Sequence, residues 1–125
     1  MITIRQIGNL KNTERFFSNA QKFAVQDILK RYADKGVYAL SLATPKDTGM
    51  TASSWTYSIF VSRGRYAIYW INTHEENGIS PAILIQYGHG TKGGTYVPGI
   101  DYINPAMRPI LEGIAEDIWK EVSRL

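Results

Sequence analysis

The chain of 125 residues contains no cysteine. This absence excludes disulfides, thiolate metal sites and cysteine nucleophiles, and it fits a product made in a reducing compartment. Histidine occurs only at positions 74 and 89, and a zincin would need a second histidine at position 78, where the sequence has glycine. We therefore expect neither a metal site nor a bound cofactor.

The sequence also lacks long apolar runs and a strong charge of one sign. No stretch approaches the roughly 18 apolar residues that cross a bilayer, and residues 1–5 lack the basic-then-apolar layout of a signal peptide. The net charge of +3 is mild and spread along the chain, so it is only permissive for nucleic-acid binding. With 44% apolar residues, residues 1–125 can build one core, and we expect a soluble, intracellularly made single domain.

Two segments have helical periodicity. Apolar residues recur at helical spacing from residue 16 to residue 40, after a candidate cap at 12–13. Glycine is costly inside a helix, which makes Gly36 a candidate weak point, and Pro45 ends the segment. A second helix starts at Asn104-Pro105, and its apolar stripe consists of Ile110, Leu111, Ile114, Ala115, Ile118, Trp119, Val122 and Leu125.

Between the two helices the period changes to that of strands. Residues 55–62 alternate, a tight turn follows at 63–65, and 66–72 reads as the next strand. In the run 82–85 no polar residue alternates with the apolar ones, which is typical of a strand buried on both faces. Residues 1–10 suit an edge strand or an extended arm. The sequence therefore predicts an α+β domain with a long N-terminal helix, an antiparallel three- to four-stranded sheet and a C-terminal amphipathic helix.

Two segments are rich in turn residues. Pro45, Asp47 and Gly49 form a structural turn, since proline presets φ, aspartate bonds nearby amides and glycine accepts a positive φ. Residues 88–101 contain five glycines and a proline, and loops of that length are usually functional or disordered.

We expect the 88–101 loop to be mobile in the isolated protein and to become ordered on a partner. The alternative is a β-hairpin excursion that has no partner. The candidate contact residues of the loop are His89, Thr91, Lys92, Tyr96, Val97 and Ile100.

No pattern indicates an enzyme. The glycines from 88 to 93 match G-x-G-x-x-G, but the residues that follow cannot open the helix that a dinucleotide site requires. Ser53 and Ser54 lack a nucleophile elbow, and no spacing of carboxylates marks a catalytic pair. Arginines close to aromatic residues leave one alternative open, a small nucleic-acid-binding module that uses Arg63, Arg65 and Lys92.

Three short segments carry a resemblance to a known family. Residues 43–49, followed by Ser53-Ser54, resemble a P-x-D-T-G-x-L-x-x-S segment, and 85–91 reads I-Q-Y-G-H-G-T. Residues 102–109 resemble a P-A-x-R-P helix start. In this order they resemble the tail-completion or head–tail joining proteins of long-tailed bacteriophages and prophages, often described as minor capsid proteins. Gln86 stands where that family usually has an acidic residue.

The resemblance implies a non-enzymatic virion structural protein that is made and assembled in the bacterial cytoplasm. It implies a ring, usually of six copies, in the neck between the head connector or stopper proteins and the tail tube or tail terminator proteins. Genome DNA would pass through such a ring without specific binding, and no membrane would be involved. Because no second long apolar face is evident, we expect a monomer in isolation that assembles only on the particle.

Overall fold

The protein is an α+β domain. The computed structural model describes residues 2–9, 19–46, 49–62 and 65–123. The predicted helix cap at 12–13 and the predicted residues Asp47, Arg63 and Leu125 lie outside these ranges. The elements, in chain order, are β1 (Ile2–Asn9), α1 (Asn19–Ala43), a short 3-10 helix (Ala52–Ser54), β2 (Trp55–Ser62), β3 (Arg65–Asn72), α2 (Pro81–Tyr87), β4 (Gly88–Gly90), β5 (Tyr96–Pro98) and α3 (Ile103–Val122).

The larger sheet has three antiparallel strands in the order β1-β3-β2. Ile68 in the central strand lies opposite Gln6 on one side and Ile59 on the other. Of the two predictions made for residues 1–10, the structure has the edge strand for residues 2–9. β4 and β5 form a separate two-stranded sheet, so the strands do not make the single sheet that was predicted.

The predicted strand at 82–85 is wrong, because these residues belong to helix α2. Pro81 occupies the first turn, where its missing N–H is not needed. Ala82 and Gln86, one turn apart, are the buried residues of the helix. A run of four apolar residues cannot distinguish a buried strand from a buried helix, which explains the error.

Helix α1 lies against the sheet and passes close to Trp70 of β3 at Gly36. The side chain of Trp70 is fully buried, and its indole Nε1 donates a hydrogen bond to the Ala33 carbonyl oxygen at 3.0 Å. A Cβ on Gly36 would lie 2.6 Å from Cε2 of this indole. The helix continues through Gly36, so the predicted weak point is the position where α1 makes room for the ring.

Helix α3 packs on α1 through a second glycine. A Cβ on Gly113 would lie 2.5 Å from Cε1 of Tyr32. The Tyr32 hydroxyl donates a hydrogen bond to Asp117 Oδ2 at 2.7 Å, and this bond raises the pKa of Tyr32. The apolar stripe of α3 is buried on one side only, since Trp119 is 70% exposed. Trp119, which the sequence places on the apolar stripe, therefore lies outside the core.

Candidate functional site

The glycine-rich segment forms a β hairpin. Gly88 pairs with Pro98 and Gly90 with Tyr96. In the turn, the amide of Thr91 donates to the carbonyl oxygen of Thr95 at 2.8 Å, and the hydroxyl oxygens of these two threonines lie 2.6 Å apart. The segment therefore has regular structure of its own, as in the alternative of a hairpin excursion. Its mobility in the isolated protein stays a prediction.

Two glycines allow the base of the hairpin to lie against the end of α2. A Cβ on Gly88 would lie 2.6 Å from the carbonyl oxygen of Val97, and a Cβ on Gly99 would lie 2.5 Å from that of Gln86. The amide of Ile100 donates to the carbonyl oxygen of Ile85 at 2.8 Å. The hairpin is therefore fixed at its base by backbone contacts that a side chain at either glycine would prevent.

Gln86 joins this base to the start of α3. The side chain is buried, and its amide Nε2 donates to Asp101 Oδ1 at 2.8 Å. Its Oε1 accepts from the amides of Tyr102 and Ile103 at 3.1 and 3.0 Å. These are amides that the first turn of a helix leaves without an intrahelical partner. The glutamine thus acts inside the molecule, where it joins the end of α2 to the start of α3.

Asp101 completes the same cap. Its Oδ1 accepts from the Asn104 amide at 3.4 Å and from the Asn104 side-chain Nδ2 at 3.0 Å. The hydrogen bond from Gln86, more than those from Asn104, holds the pKa of Asp101 below its ordinary value. A protonated Asp101 or a carboxyl group at position 86 would weaken the cap.

The outside of the hairpin presents apolar side chains to solvent. Tyr96 is 65% exposed and Ile100 56%, and Tyr87, at the end of α2, is 68% exposed. The Tyr96 hydroxyl donates to the Tyr87 carbonyl oxygen at 3.1 Å. Exposed apolar clusters of this kind mark interaction sites. We call this the hairpin surface, and its residues are Tyr87, Thr91, Lys92, Tyr96, Val97 and Ile100.

Five of the six candidate contact residues lie on the hairpin surface, and His89 does not. His89 is partly buried and lines a cavity of about 240 Å³, together with His74 and Glu76. Its Nδ1 has no hydrogen-bond partner among the described residues. The cavity also brings Pro45 and Gly49 of the predicted turn close to the hairpin, although these residues are about 40 positions apart from His89.

The hydroxyl of Thr51, the imidazole of His74 and the carboxylate of Glu76 contact one another in sequence at the edge of this cavity. Thr51 Oγ1 lies 2.9 Å from His74 Nδ1, and His74 Nε2 lies 3.2 Å from Glu76 Oε1. Such a relay can activate a nucleophile, but the Glu76 side chain is 71% exposed, so its charge is screened by solvent. Among the described residues, no group of three or more histidine, cysteine and acidic side chains could hold a metal ion.

The same residues have a structural role. The side-chain amide of Asn72 donates to the Thr51 carbonyl oxygen at 2.8 Å, and Asn72 Oδ1 accepts from the amide of His74 at 3.0 Å. Asn72 is fully buried. Together these bonds fasten the end of β3 to the segment that follows α1. Sequence analysis missed this fastening, because an asparagine at the end of a strand normally indicates only a turn.

The two described basic residues of the nucleic-acid alternative lie on different elements. Arg65 is the exposed first residue of β3, at the opposite end of that strand from Asn72. Lys92 lies in the turn of the hairpin formed by β4 and β5, and Arg63 lies outside the described residues. Arg65 and Lys92 therefore lie on different hairpins.

No protein-family model, curated protein or solved structure matches this chain. Within residues 2–9, 19–46, 49–62 and 65–123, no helix combines the length and the apolar character needed to cross a membrane. An interpretation of function therefore depends on the geometry described above and on the resemblance carried by the three segments.

Proposed function

We propose that this chain is a structural subunit of the bacteriophage head–tail junction. Copies of it form a ring, with six as the expected number, between the head connector or stopper proteins and the tail tube or tail terminator proteins. It has no catalytic role and no cofactor, and DNA passes through the ring without specific contacts. The protein is assembled in the bacterial cytoplasm and ends in the neck of the virion.

One observation carries this proposal: the three segments that resemble the family are neighbours in space. Pro45 and Gly49 of the first segment line the same cavity as Ile85 and His89 of the second. The second segment also holds the third, since Gln86 accepts from the amide of Tyr102. Short motifs made of turn residues match easily by chance. A common physical role at one end of the domain makes a chance match of all three less credible.

The buried part of this region explains why the motif residues are of these types. Thr44 is buried, and its hydroxyl accepts a hydrogen bond from Trp55 Nε1 at 2.8 Å. The Tyr102 hydroxyl donates to the Ala82 carbonyl oxygen at 3.0 Å, and burial raises the pKa of Tyr102 to about 12. These contacts join the end of α1 to β2 and the start of α3 to α2, which gives the hairpin the rigid support that an adaptor between other proteins requires.

The direct experiment is to image particles produced without this chain. We expect filled heads and separate complete tails, because the junction would be missing while both partners still assemble. Expression of the intact chain in trans is the matched control and should restore joined particles. Normal particles in the absence of the chain would contradict the proposal.

A second experiment separates the junction role from nucleic-acid binding. A module that binds phosphates loses affinity steeply as salt rises. We expect only weak binding to DNA oligonucleotides at low salt and no sequence preference. A steep salt dependence that is lost in both Arg65→Ala and Lys92→Ala would instead favour the nucleic-acid-binding alternative.

A further inference from the structure

Strand β2 is an edge of the three-stranded sheet, and its outer side pairs with no described strand. Its eight residues, Trp55–Ser62, include no charged residue and no proline. Its register with β3 is unbroken from Trp55 opposite Asn72 to Ser62 opposite Arg65, so it contains no bulge. Charged side chains, proline and bulges are among the devices that protect the edge strands of soluble proteins. β2 has none of them, which is expected of an edge that pairs with another strand.

The exposed apolar side chains of β2 lie near its C-terminal end. Phe60 is 52% exposed and Val61 is 43% exposed, and both lie in the last third of the strand. Thr56 and Ser58 are exposed as well, and they alternate with Phe60 along the strand. The row is uncharged throughout, so a second strand beside it would meet no buried charge.

The opposite edge of the same sheet is β1, which has the same length. Ile2–Asn9 pairs with β3 along all eight positions, and it has no described partner on its other side. Arg5 is the only charged residue in β1. Since β1 and β2 are both antiparallel to β3, they run in the same direction. A β1 edge and a β2 edge can therefore meet as parallel strands without two like charges facing each other.

We propose that the β2 edge of one copy pairs with the β1 edge of the next copy, so that the sheets continue from subunit to subunit around the ring. This inference rests on the ring in the proposed function and names the surfaces that build it. Contact between two different edges is heterologous and can close into a ring. Pairing of β2 with β2 would instead stop at a two-fold dimer.

The small size of the contact predicts that the isolated chain is a monomer at micromolar concentration. Eight residues span about 26 Å, and a strip roughly 10 Å wide along that length covers about 260 Å² per partner. A stable interface usually buries about 800 Å² per partner. One edge contact is therefore weak, and it becomes populated when copies are held side by side on the neck.

The absence of native cysteine makes this pairing testable by disulfide trapping of the full-length chain. Ser58 and Arg5 both lie opposite Tyr69 in β3, so they occupy one row across the sheet. Ser58→Cys is combined in turn with Thr3→Cys, Arg5→Cys and Ile7→Cys, which cover three neighbouring registers. The purified variants are oxidised mildly at millimolar concentration and separated on a non-reducing gel.

We expect at least one double variant to give a ladder of dimers, trimers and higher species that collapses on reduction. Each single variant should stay monomeric, because one cysteine would face no other. Ser58→Cys with Lys30→Cys on the exposed face of α1 is the control for random collision and should give no ladder. Dimers from Ser58→Cys alone, or no ladder from any double variant, would overturn the proposal.

This test does not depend on phage particles. A ladder together with normal particles in the absence of the chain would leave the edge pairing standing and remove the neck role. Loss of joined particles without any ladder would leave the neck role standing and remove the pairing of β2 with β1.

Discussion

The core around Trp70 and the hairpin at 88–98 both depend on glycine, but in different ways. In the core, Gly36 makes room for the buried indole ring of Trp70. At the base of the hairpin, Gly88 and Gly99 make room for backbone atoms. The first arrangement fixes side chains inside the molecule, whereas the second fixes a backbone whose side chains remain outside.

This difference distinguishes the buried residues that stabilise the fold from the exposed residues of the hairpin that can contact a partner. The core buries Trp70 completely, while Tyr96 on the hairpin is 65% exposed. Burial of a large apolar side chain contributes about 1.5–3 kcal/mol, and an exposed one contributes little until something covers it. Substitutions in the core should therefore change stability, and changes at the hairpin tip should change association.

The largest stability effect is expected for Gly36→Ala. Alanine is better than glycine in a helix by about 1 kcal/mol, so helix propensity alone predicts stabilisation. We expect the opposite sign, a loss of about 2–4 kcal/mol in the free energy of unfolding. The new Cβ would overpack the Trp70 indole and disturb its hydrogen bond to Ala33. Urea unfolding followed by tryptophan fluorescence measures this.

Gly93→Ala is the matched control for that substitution. Gly93 lies in the hairpin turn, and the nearest atom to a Cβ there is Thr91 Oγ1 at 3.9 Å. We expect a change of less than about 0.5 kcal/mol. A stabilised Gly36→Ala variant would show that the contact between α1 and Trp70 is looser than the structure has it.

Gln86→Glu should have the next largest effect, since it tests the link between the two regions. The substitution removes the amide donor to Asp101 and places a carboxylate beside that of Asp101. We expect a loss of roughly 1–3 kcal/mol at pH 7, because a partly buried hydrogen bond is replaced by repulsion. In the double variant with Asp101→Asn, the new amide can donate to the new carboxylate, so part of the loss should be recovered.

The pH dependence of the free energy of unfolding is a second test of the contact between residues 86 and 101. In the unaltered protein the pKa of Asp101 is lowered, so its contribution is present above the ordinary carboxyl range and is lost as pH falls through the folded-state pKa. In Gln86→Glu the pKa of the introduced carboxyl should be raised by its neighbour, so the deficit should shrink as pH falls. A deficit that stays constant between pH 7 and pH 4 would contradict the pairing with Asp101.

Replacing Thr91–Pro98 by a short Gly-Ser linker should have a small effect on stability. All eight residues are exposed. The hydrogen bonds of Gln86 and the buried core lie outside the replaced segment. We expect the melting temperature to hold within a few degrees. Calorimetry checks this, and unfolding of the shortened chain would show that the hairpin belongs to the core.

Zinc should have no effect on stability. His74 is already engaged with Thr51 and Glu76, and His89 is not arranged with two further ligands in the described residues. Stoichiometric zinc should leave the melting temperature unchanged. A rise of several degrees would indicate that the cavity binds metal through its histidines.

The fold was predictable from the sequence where apolar residues recur on one face of a helix or strand over a long segment. The α+β class, the two long helices and the strands predicted at 55–62 and 66–72 follow from such patterns, although the second strand begins one residue earlier, at Arg65. The run at 82–85 was predicted as a strand because four apolar residues fit either state. Periodicity placed Trp119 on the apolar stripe of α3, but it could not reveal that α3 packs on α1 along one side only, which leaves Trp119 exposed.

The candidate site was predictable in composition but not in geometry. Residues 88–101 stood out by their glycines, yet the pairing of β4 with β5 depends on the close approach at Gly88 and Gly99. The one signal for Gln86 was a polar residue at the end of an apolar run, which usually means a surface position. Its role depends on Asp101, fifteen residues away, and no local pattern links the two.

The most direct test of the account is the ability of the linker variant, with Thr91–Pro98 replaced, to join heads to tails. Particles lacking the native chain are complemented either with this variant or with Gly93→Ala, which keeps the hairpin. We expect joined, infectious particles with Gly93→Ala. With the linker variant we expect filled heads and separate tails, although that protein should be folded. Infectious particles with the linker variant would show that the hairpin is only a connection and would contradict the central claim.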